Sequence, residues 1–160
     1  MIAERRTPEA SAVETTHLVL PPDTNAHGTA FGGRIMEWMD ITASIAAGRH
    51  CRQGTVTANV DDLTFERPIR LGDIVVVRAR VNYAGKTSME IGVRVEREER
   101  KSGVREHCLT GYFTFVAVGA DGKPTGVPPI EPETEIDKRR FHDALARRQV
   151  RLDRRARKTP

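Results

Sequence analysis

The feature that most restricts the fold is a group of three long β-branched segments that follow a single helix-like segment. They span 73–84, 87–99 and 104–119, and each has stretches in which apolar residues occupy alternating positions. Alternation with a period of two predicts strands that bury one face. The separators Ala84-Gly85-Lys86 and Lys101-Ser102-Gly103 are typical of hairpin turns. The pattern therefore predicts an antiparallel meander of three strands.

Two shorter segments are expected to extend the sheet. Thr16 to Leu20 is a short apolar run that ends at Pro21-Pro22, which predicts an edge strand. Residues 55–65 also have strand character and end at Arg67-Pro68. Five strands are therefore expected in all.

The helix-like segment runs from Gly33 to Ala47, and Gly48 is its predicted stop. Its apolar residues cover most of the helix circumference, which predicts a helix covered by neighbours on several sides. A single enclosed helix with an antiparallel sheet curled around it is an α+β fold.

The length of 160 residues favours one domain. We expect a loose lead-in over residues 1–14, the domain over 15–128 and a basic helical tail over 129–160. The lead-in lacks the apolar core of a signal peptide, and no run approaches the roughly 18 apolar residues of a membrane span. Two isolated cysteines, Cys51 and Cys108, fit a reducing cytoplasmic location.

The net charge of +4 is concentrated at the C-terminus. Residues 138–160 contain ten Lys or Arg and two Asp, so this tail carries +8 and the rest of the chain −4. We therefore expect no specific nucleic-acid binding from overall basicity. The favoured interpretation is a helix that packs on the sheet rim or on a neighbouring subunit. Attraction of an anionic ligand, of an acidic membrane surface or of RNA stays open.

The chemistry is concentrated in the string PDTNAHGTAFGGRIMEWMD, from Pro22 to Asp40. Gly32 and Gly33 stand at the expected helix start, where backbone N–H groups lack partners and can approach an oxyanion. Asp40 lies within the apolar helix, where a carboxylate is costly to bury unless it is hydrogen-bonded or catalytic. The combination is typical of an acyl-transfer site.

The spacing of these groups favours a site shared by two chains. The eight residues from Gly32 to Asp40 correspond to roughly 12 Å of helix rise. One chain cannot easily present both groups to one carbonyl carbon, whereas two adjacent chains could each supply one.

The same string resembles the signature of hotdog-fold acyl-CoA thioesterases of the cytosolic acyl-CoA hydrolase type. Segments 56–74, 83–91 and 110–119 also fit that family, so the resemblance extends over about residues 18–128. It implies hydrolysis of a fatty or other acyl-CoA to the acid and free CoA, with no metal or organic cofactor. It also implies homodimers that pair their sheets edge to edge, place active sites at the interface and often assemble into hexamers as trimers of dimers.

The resemblance assigns roles to residues of the first string. Asp40 corresponds to the catalytic carboxylate, acting as general base or as nucleophile. Gly32 and Gly33 are the candidate oxyanion donors. Asn25 would position the thioester or the water, although an asparagine that stabilises a turn is an equally good interpretation. His27 is better read as a surface residue.

Further candidates lie downstream. Thr57 would help to hold the attacking water, on a strand that also carries Asn59 and Asp62 and faces the helix across the dimer. The run Gly85-Lys86-Thr87-Ser88 would contact CoA through a cation and phosphate donors. A P-loop is excluded because Arg80 stands where that motif requires glycine.

Two other functions are alternatives to thioester hydrolysis. A hotdog hydratase needs a catalytic histidine in its own motif, and neither His50 nor His107 fits. A non-catalytic acyl-CoA sensor or binding module could use the same pocket, but it would not need Asp40.

Overall fold

The computed structural model describes residues 5–158, in which one sheet packs between two long helices. The elements in chain order are β1 Val13–Leu18, α1 Gly32–Cys51, β2 Gly54–Asp61, β3 Ile74–Ala84, β4 Ser88–Glu98, β5 Arg105–Val118 and α2 Glu135–Lys158. The strand order is β1-β3-β4-β5-β2, with every neighbouring pair antiparallel. The predicted α+β class, the meander and the edge position of the first strand are confirmed.

The two faces of the sheet differ in chemistry, as the alternation predicts. Val75, Val77, Ala79 and Val81 of β3 belong to the same buried cluster as the inner residues of α1. The alternate positions of β3 include Arg78, Arg80 and Asn82, which face the other way. We call these the inner face, covered by α1, and the outer face, against which α2 packs.

The helix α1 is longer than predicted. It continues past Gly48 to Cys51 and ends at Arg52, which has the left-handed conformation (φ 55°) and donates its N–H to the Gly48 carbonyl. The predicted stop at Gly48 is wrong because His50 and Cys51 are buried against the core. Their packing extends the helix beyond a residue that only weakens it locally.

The expectation that α1 is covered on several sides is also wrong for the single chain. Ile35, Met39 and Ala43 are fully buried on one face. On the face that carries Asp40, Met36, Ile41 and Ile45 are 38%, 50% and 39% exposed. One sheet covers only one side of a helix, so the second apolar face of α1 stays open.

The segments at the two ends pack on the domain. Within the expected loose lead-in, Ser11 is buried and its hydroxyl accepts a hydrogen bond from the Val81 amide (2.9 Å). Residues 1–4 lie outside the described residues. On the outer face, Asp137 of α2 pairs with Arg80 (3.1 Å) and Phe141 meets the Tyr83 ring edge-on. In residues 5–158 no helix is long and apolar enough to cross a membrane.

Candidate active site

The N-terminus of α1 presents free backbone donors. Phe31 at the N-cap has an extended backbone and provides no side-chain cap. The amides of Arg34 and Ile35 both donate to the Phe31 carbonyl. Those of Gly32 and Gly33, in the first turn, have no hydrogen-bond acceptor within residues 5–158. The free amides at the start of the helix carry the partial positive charge that stabilises an oxyanion.

The two glycines of this helix start lie against aromatic rings, and Gly33 is the more tightly packed. A Cβ on Gly33 would lie 2.6 Å from Cε1 of Phe31, and one on Gly32 would lie 3.5 Å from Cζ of Phe65. Both rings are largely exposed, at 60% for Phe31 and 46% for Phe65. Two aromatic rings therefore flank the two amides, an arrangement that the sequence analysis missed.

A cleft of about 380 Å³ adjoins these amides. Its walls combine the loop before α1, the first turn of α1 and the loop after β2. The lining residues are Thr29, Ala30, Gly32, Ile35, Phe65, Glu66, Arg67, Pro68 and Ile69. The mostly apolar wall beside a backbone oxyanion donor suits a ligand that carries a polar head on an apolar chain.

Asn25 organises the loop that leads into α1. Its side-chain oxygen accepts hydrogen bonds from the backbone amides of His27 (2.9 Å) and Thr29 (3.3 Å). Its amide nitrogen lies 2.9 Å from the Thr29 hydroxyl. This is the turn-stabilising use of asparagine. Asn25 thus shapes the loop that forms part of the cleft, and within the described chain it does not contact Asp40.

Asp40 is half-buried and is bonded by a residue of β2. The Thr57 hydroxyl donates to Asp40 Oδ1 at 2.7 Å. The expectation of a fully buried carboxylate is therefore wrong for the single chain, because Asp40 lies on the open face of α1. The contact with Thr57 also forms within one chain, whereas the resemblance implied that this strand faces the helix across a dimer.

A β-bulge follows Thr57 in β2. Thr57 pairs with Phe115, and after the extra residue Ala58 the pairing resumes at Asn59 with Thr114. Phe115 belongs to the buried core cluster, so Thr57 lies on the inner face and Asn59 on the outer face. Bulges of this kind are frequent next to active sites, where they redirect a side chain.

Asp62 does not lie on the strand as predicted. It follows the last strand residue and has a positive φ of 53°. That conformation ends the extended backbone.

The run Gly85-Lys86-Thr87-Ser88 closes the β3–β4 hairpin, with the Gly85 amide donating to the Ser88 carbonyl at 2.8 Å. Ser88 of β4 and Val56 of β2 both pair with Val116 of β5. The hairpin end is therefore two strand spacings, roughly 10 Å, from the part of β2 that carries Thr57. Lys86 is exposed and forms no ion pair within residues 5–158. The fold thus brings the predicted CoA contacts close to Asp40 and Thr57.

Comparison with known proteins assigns the family. A family model described as the thioesterase superfamily matches residues 27–104. A Bacillus subtilis protein named as an uncharacterized acyl-CoA thioester hydrolase is 42% identical over 151 residues, which are 94% of this chain and 88% of the relative.

Two solved structures have the same fold over nearly the whole chain. One is an acyl-CoA hydrolase from Staphylococcus aureus, solved in complex with butyryl coenzyme A, coenzyme A and coenzyme A disulfide. It is 35% identical, its TM-score is 0.90, and the match covers 96% of this chain and 94% of the hydrolase chain. An apo-hexameric acyl-CoA thioesterase is 38% identical with a TM-score of 0.91 and covers 96% and 98%. Alanine variants of an asparagine, an aspartate and a threonine of the Staphylococcus aureus hydrolase have also been solved.

The central helix, the antiparallel sheet around it and these matches define the class of protein. The chain belongs to the acyl-CoA thioester hydrolases, hotdog-fold enzymes of the thioesterase superfamily.

Proposed function

We propose that this enzyme hydrolyses acyl-CoA, fatty acyl-CoA included, to the free acid and CoA, with Asp40 as the catalytic carboxylate. The observation that carries the proposal is the hydrogen bond from Thr57 to Asp40 Oδ1 at 2.7 Å. It fixes a half-buried carboxylate on the open face of α1. Its second oxygen has no hydrogen-bond partner within residues 5–158 and is left for a water molecule or a substrate carbon.

The spacing of the variants solved for the Staphylococcus aureus hydrolase supports the residue assignment. In that protein the substituted asparagine precedes the aspartate by 15 residues, and the threonine follows it by 17. Asn25, Asp40 and Thr57 have the same spacing. The same three residue types thus recur in the same order and with the same spacing.

The proposed reaction begins when Asp40 takes a proton from water while the water oxygen attacks the thioester carbon. The oxyanion of the tetrahedral intermediate accepts hydrogen bonds from the Gly32 and Gly33 amides. The C–S bond then breaks, and CoA leaves as the thiolate and takes up a proton. In the alternative route Asp40 attacks the carbon directly, and water hydrolyses the resulting anhydride. Asn25 shapes the loop beside the oxyanion donors, and Thr57 orients Asp40.

We further propose a homodimer in which one subunit supplies the amides and its partner supplies Asp40. Two open surfaces support this arrangement. The face of α1 that carries Asp40 exposes Met36, Ile41 and Ile45. The strand β2 pairs only with β5 within residues 5–158, and it exposes Val56 and Val60. An edge strand beside an apolar helix face is a surface that a second copy would cover.

The hexameric relative favours further assembly into a trimer of dimers.

For the substrate, we propose that the CoA nucleotide binds near Lys86, Thr87 and Ser88, where an exposed cation and hydroxyl groups suit phosphate. The two cysteines, buried and unpaired, support a cytoplasmic location.

The test is thiol release from a panel of short, long and aromatic acyl-CoAs, monitored with a thiol-reactive dye. Asp40→Ala and Asp40→Asn should lower kcat by at least about a hundredfold, since loss of a general base typically costs 10²–10⁴. The matched control is Glu37→Gln, because Glu37 is the other carboxylate of α1 and is exposed. Variants of Asp40 that keep activity within a few-fold of the wild type would remove it from the mechanism.

Two further outcomes are informative. A wild type that binds CoA but releases no thiol from any substrate would favour the non-catalytic binding module. A single turnover in ¹⁸O-labelled water tests for direct attack: when water then opens the anhydride at the aspartyl carbon, the label enters Asp40 and the product acid keeps an unlabelled oxygen of Asp40, whereas the general-base route places the label in the product acid.

A further inference from the structure

The outer face of the sheet carries a charged cluster that is covered by α2. Glu90 of β4 is 1% exposed, and Arg147 of α2 donates two hydrogen bonds to its carboxylate, at 3.0 and 2.7 Å. Asn82 donates to the same carboxylate at 3.3 Å. The guanidinium of Arg147 also stacks 3.5 Å above the Tyr112 ring of β5. A buried charge with this many partners holds one fixed arrangement, since loss of a partner would leave it uncompensated.

One turn further along α2, Arg151 extends the cluster to the edge strand. Its guanidinium lies 2.6 Å from the Asp61 carboxylate of β2 and 3.7 Å from that of Glu90. The side chains of Arg151 and Asp61 are only 16% and 13% exposed. Such a pair is largely shielded from water, unlike a surface salt bridge of little energetic value. Together the two arginines join α2 to β4, β5 and β2.

The strand β2 is therefore held from both sides. Asp61 pairs with Tyr112 and so lies on the outer face, whereas Thr57, before the bulge, lies on the inner face and bonds Asp40. Asp61, which contacts α2, is only four positions after Thr57, which contacts the carboxylate. A shift of β2 at Asp61 would displace Thr57 as well, because the unpaired Ala58 between them leaves this stretch of the ladder with fewer hydrogen bonds to hold it.

We propose that Arg151 is a positioning residue for thioester hydrolysis: by holding Asp61, it keeps β2 where Thr57 can donate to Asp40. The inference rests on the proposed catalytic role of Asp40. It gives the C-terminal helix a function in the reaction, although α2 lies on the face of the sheet opposite to α1.

Burial opposes the charge of Arg147, but the hydrogen bonds and the charge of Glu90 outweigh it and raise the pKa of that arginine. Arg147, which holds α2 to Glu90, thus stays charged at all working pH values. With Arg147–Glu90 and Arg80–Asp137 intact, removal of Arg151 should leave α2 docked and release only β2.

The experiment compares kcat and KM for one acyl-CoA in Arg151→Ala, Arg151→Lys and Asp61→Asn with the wild type. We expect kcat to fall about tenfold in Arg151→Ala with KM within about twofold, because a small misplacement of a catalytic group can cost up to about a hundredfold. Arg151→Lys, which keeps the charge, should recover part of the loss. Combining Arg151→Ala with Asp61→Asn should cost no more than Arg151→Ala alone, since that substitution already removes the contact with Asp61.

The matched control is Arg154→Ala, an exposed arginine of α2 with no ion pair within residues 5–158. It should leave kcat unchanged. Hydrogen exchange should quicken in β2 of Arg151→Ala but not in β3 or β4. An active wild type with unchanged kcat in Arg151→Ala and Asp61→Asn would overturn the positioning role alone. Additive losses of kcat in the double variant would also overturn the positioning role. An inactive wild type would overturn the proposed function as well.

Discussion

At the scale of single residues, Gly33 shows how closely the helix start is fitted to its aromatic neighbours. An added Cβ would come within 2.6 Å of the Phe31 ring, whereas around Gly48, in the same helix, it would meet nothing within 4 Å. The two glycines therefore have different roles. Gly33 keeps a backbone amide accessible, and Gly48 only weakens the helix.

We expect Gly33→Ala to lower kcat by up to about a hundredfold, because the added Cβ would push the Phe31 ring aside and so obstruct a backbone donor of the kind that stabilises an oxyanion. The exposed Phe31 ring must move, and the free amides lie beside it. In the control Gly48→Ala, stability should rise by about 0.5–1 kcal/mol with kcat unchanged. Steady-state kinetics and urea unfolding of the two variants test this, and equal kcat values would show that the position of the Phe31 ring does not affect the oxyanion donors.

At the scale of elements, the pairing of α1 with β2 is the contact on which the chemistry depends. The meander β3-β4-β5 could be predicted from alternation, because strands that bury one face must alternate. The pairing of β2 with β5 and the bulge at Ala58 could not be predicted in this way. Which strand lies at the edge of a sheet depends on packing between residues that are far apart in the chain. The hydrogen bond between Asp40 and Thr57 is a consequence of that choice.

Replacing Thr57 by valine removes the donor to Asp40 and keeps the side-chain shape. We expect kcat to fall roughly tenfold to a hundredfold, because a hydrogen bond to a charged group contributes about 1.5–3 kcal/mol. Thr57→Ser keeps the hydroxyl and should retain most of the activity. Thr57→Val with the wild-type kcat would mean that the bond has no part in catalysis.

At the scale of the whole molecule, His50 ties distant segments together. Its Nε2 lies 2.8 Å from the Pro128 carbonyl, so it carries the hydrogen, and Arg6 donates to the carbonyl oxygen of His50. Its Nδ1 is buried without a partner within residues 5–158. Burial lowers the pKa of His50, and Arg6 also lowers it, against the raising effect of the bond to Pro128. The folded protein therefore holds this histidine neutral.

Because the unfolded chain takes up this proton more readily, the free energy of unfolding should fall as the pH drops below about 6.5. One such proton contributes at most about 1.4 kcal/mol per pH unit. Urea unfolding at pH 7, 6 and 5 gives the free energy of unfolding at each pH. The slope of this free energy against pH should be smaller for His50→Gln than for the wild type. His142→Gln, at an exposed position of α2, should keep the wild-type slope. Identical slopes in all three proteins would contradict the assignment.

The sequence by itself determined the α+β class, the meander, the glycine pair at a helix start and the family. These features are local or periodic, so a single segment carries the information. Only the tertiary structure decided that α1 runs to Cys51, that its Asp40 face stays open, and that Thr57 contacts Asp40 within one chain. It alone placed Arg151 beside Asp61. These contacts join residues far apart in the chain, and packing, rather than any local preference, selects among the many pairings that the sequence allows.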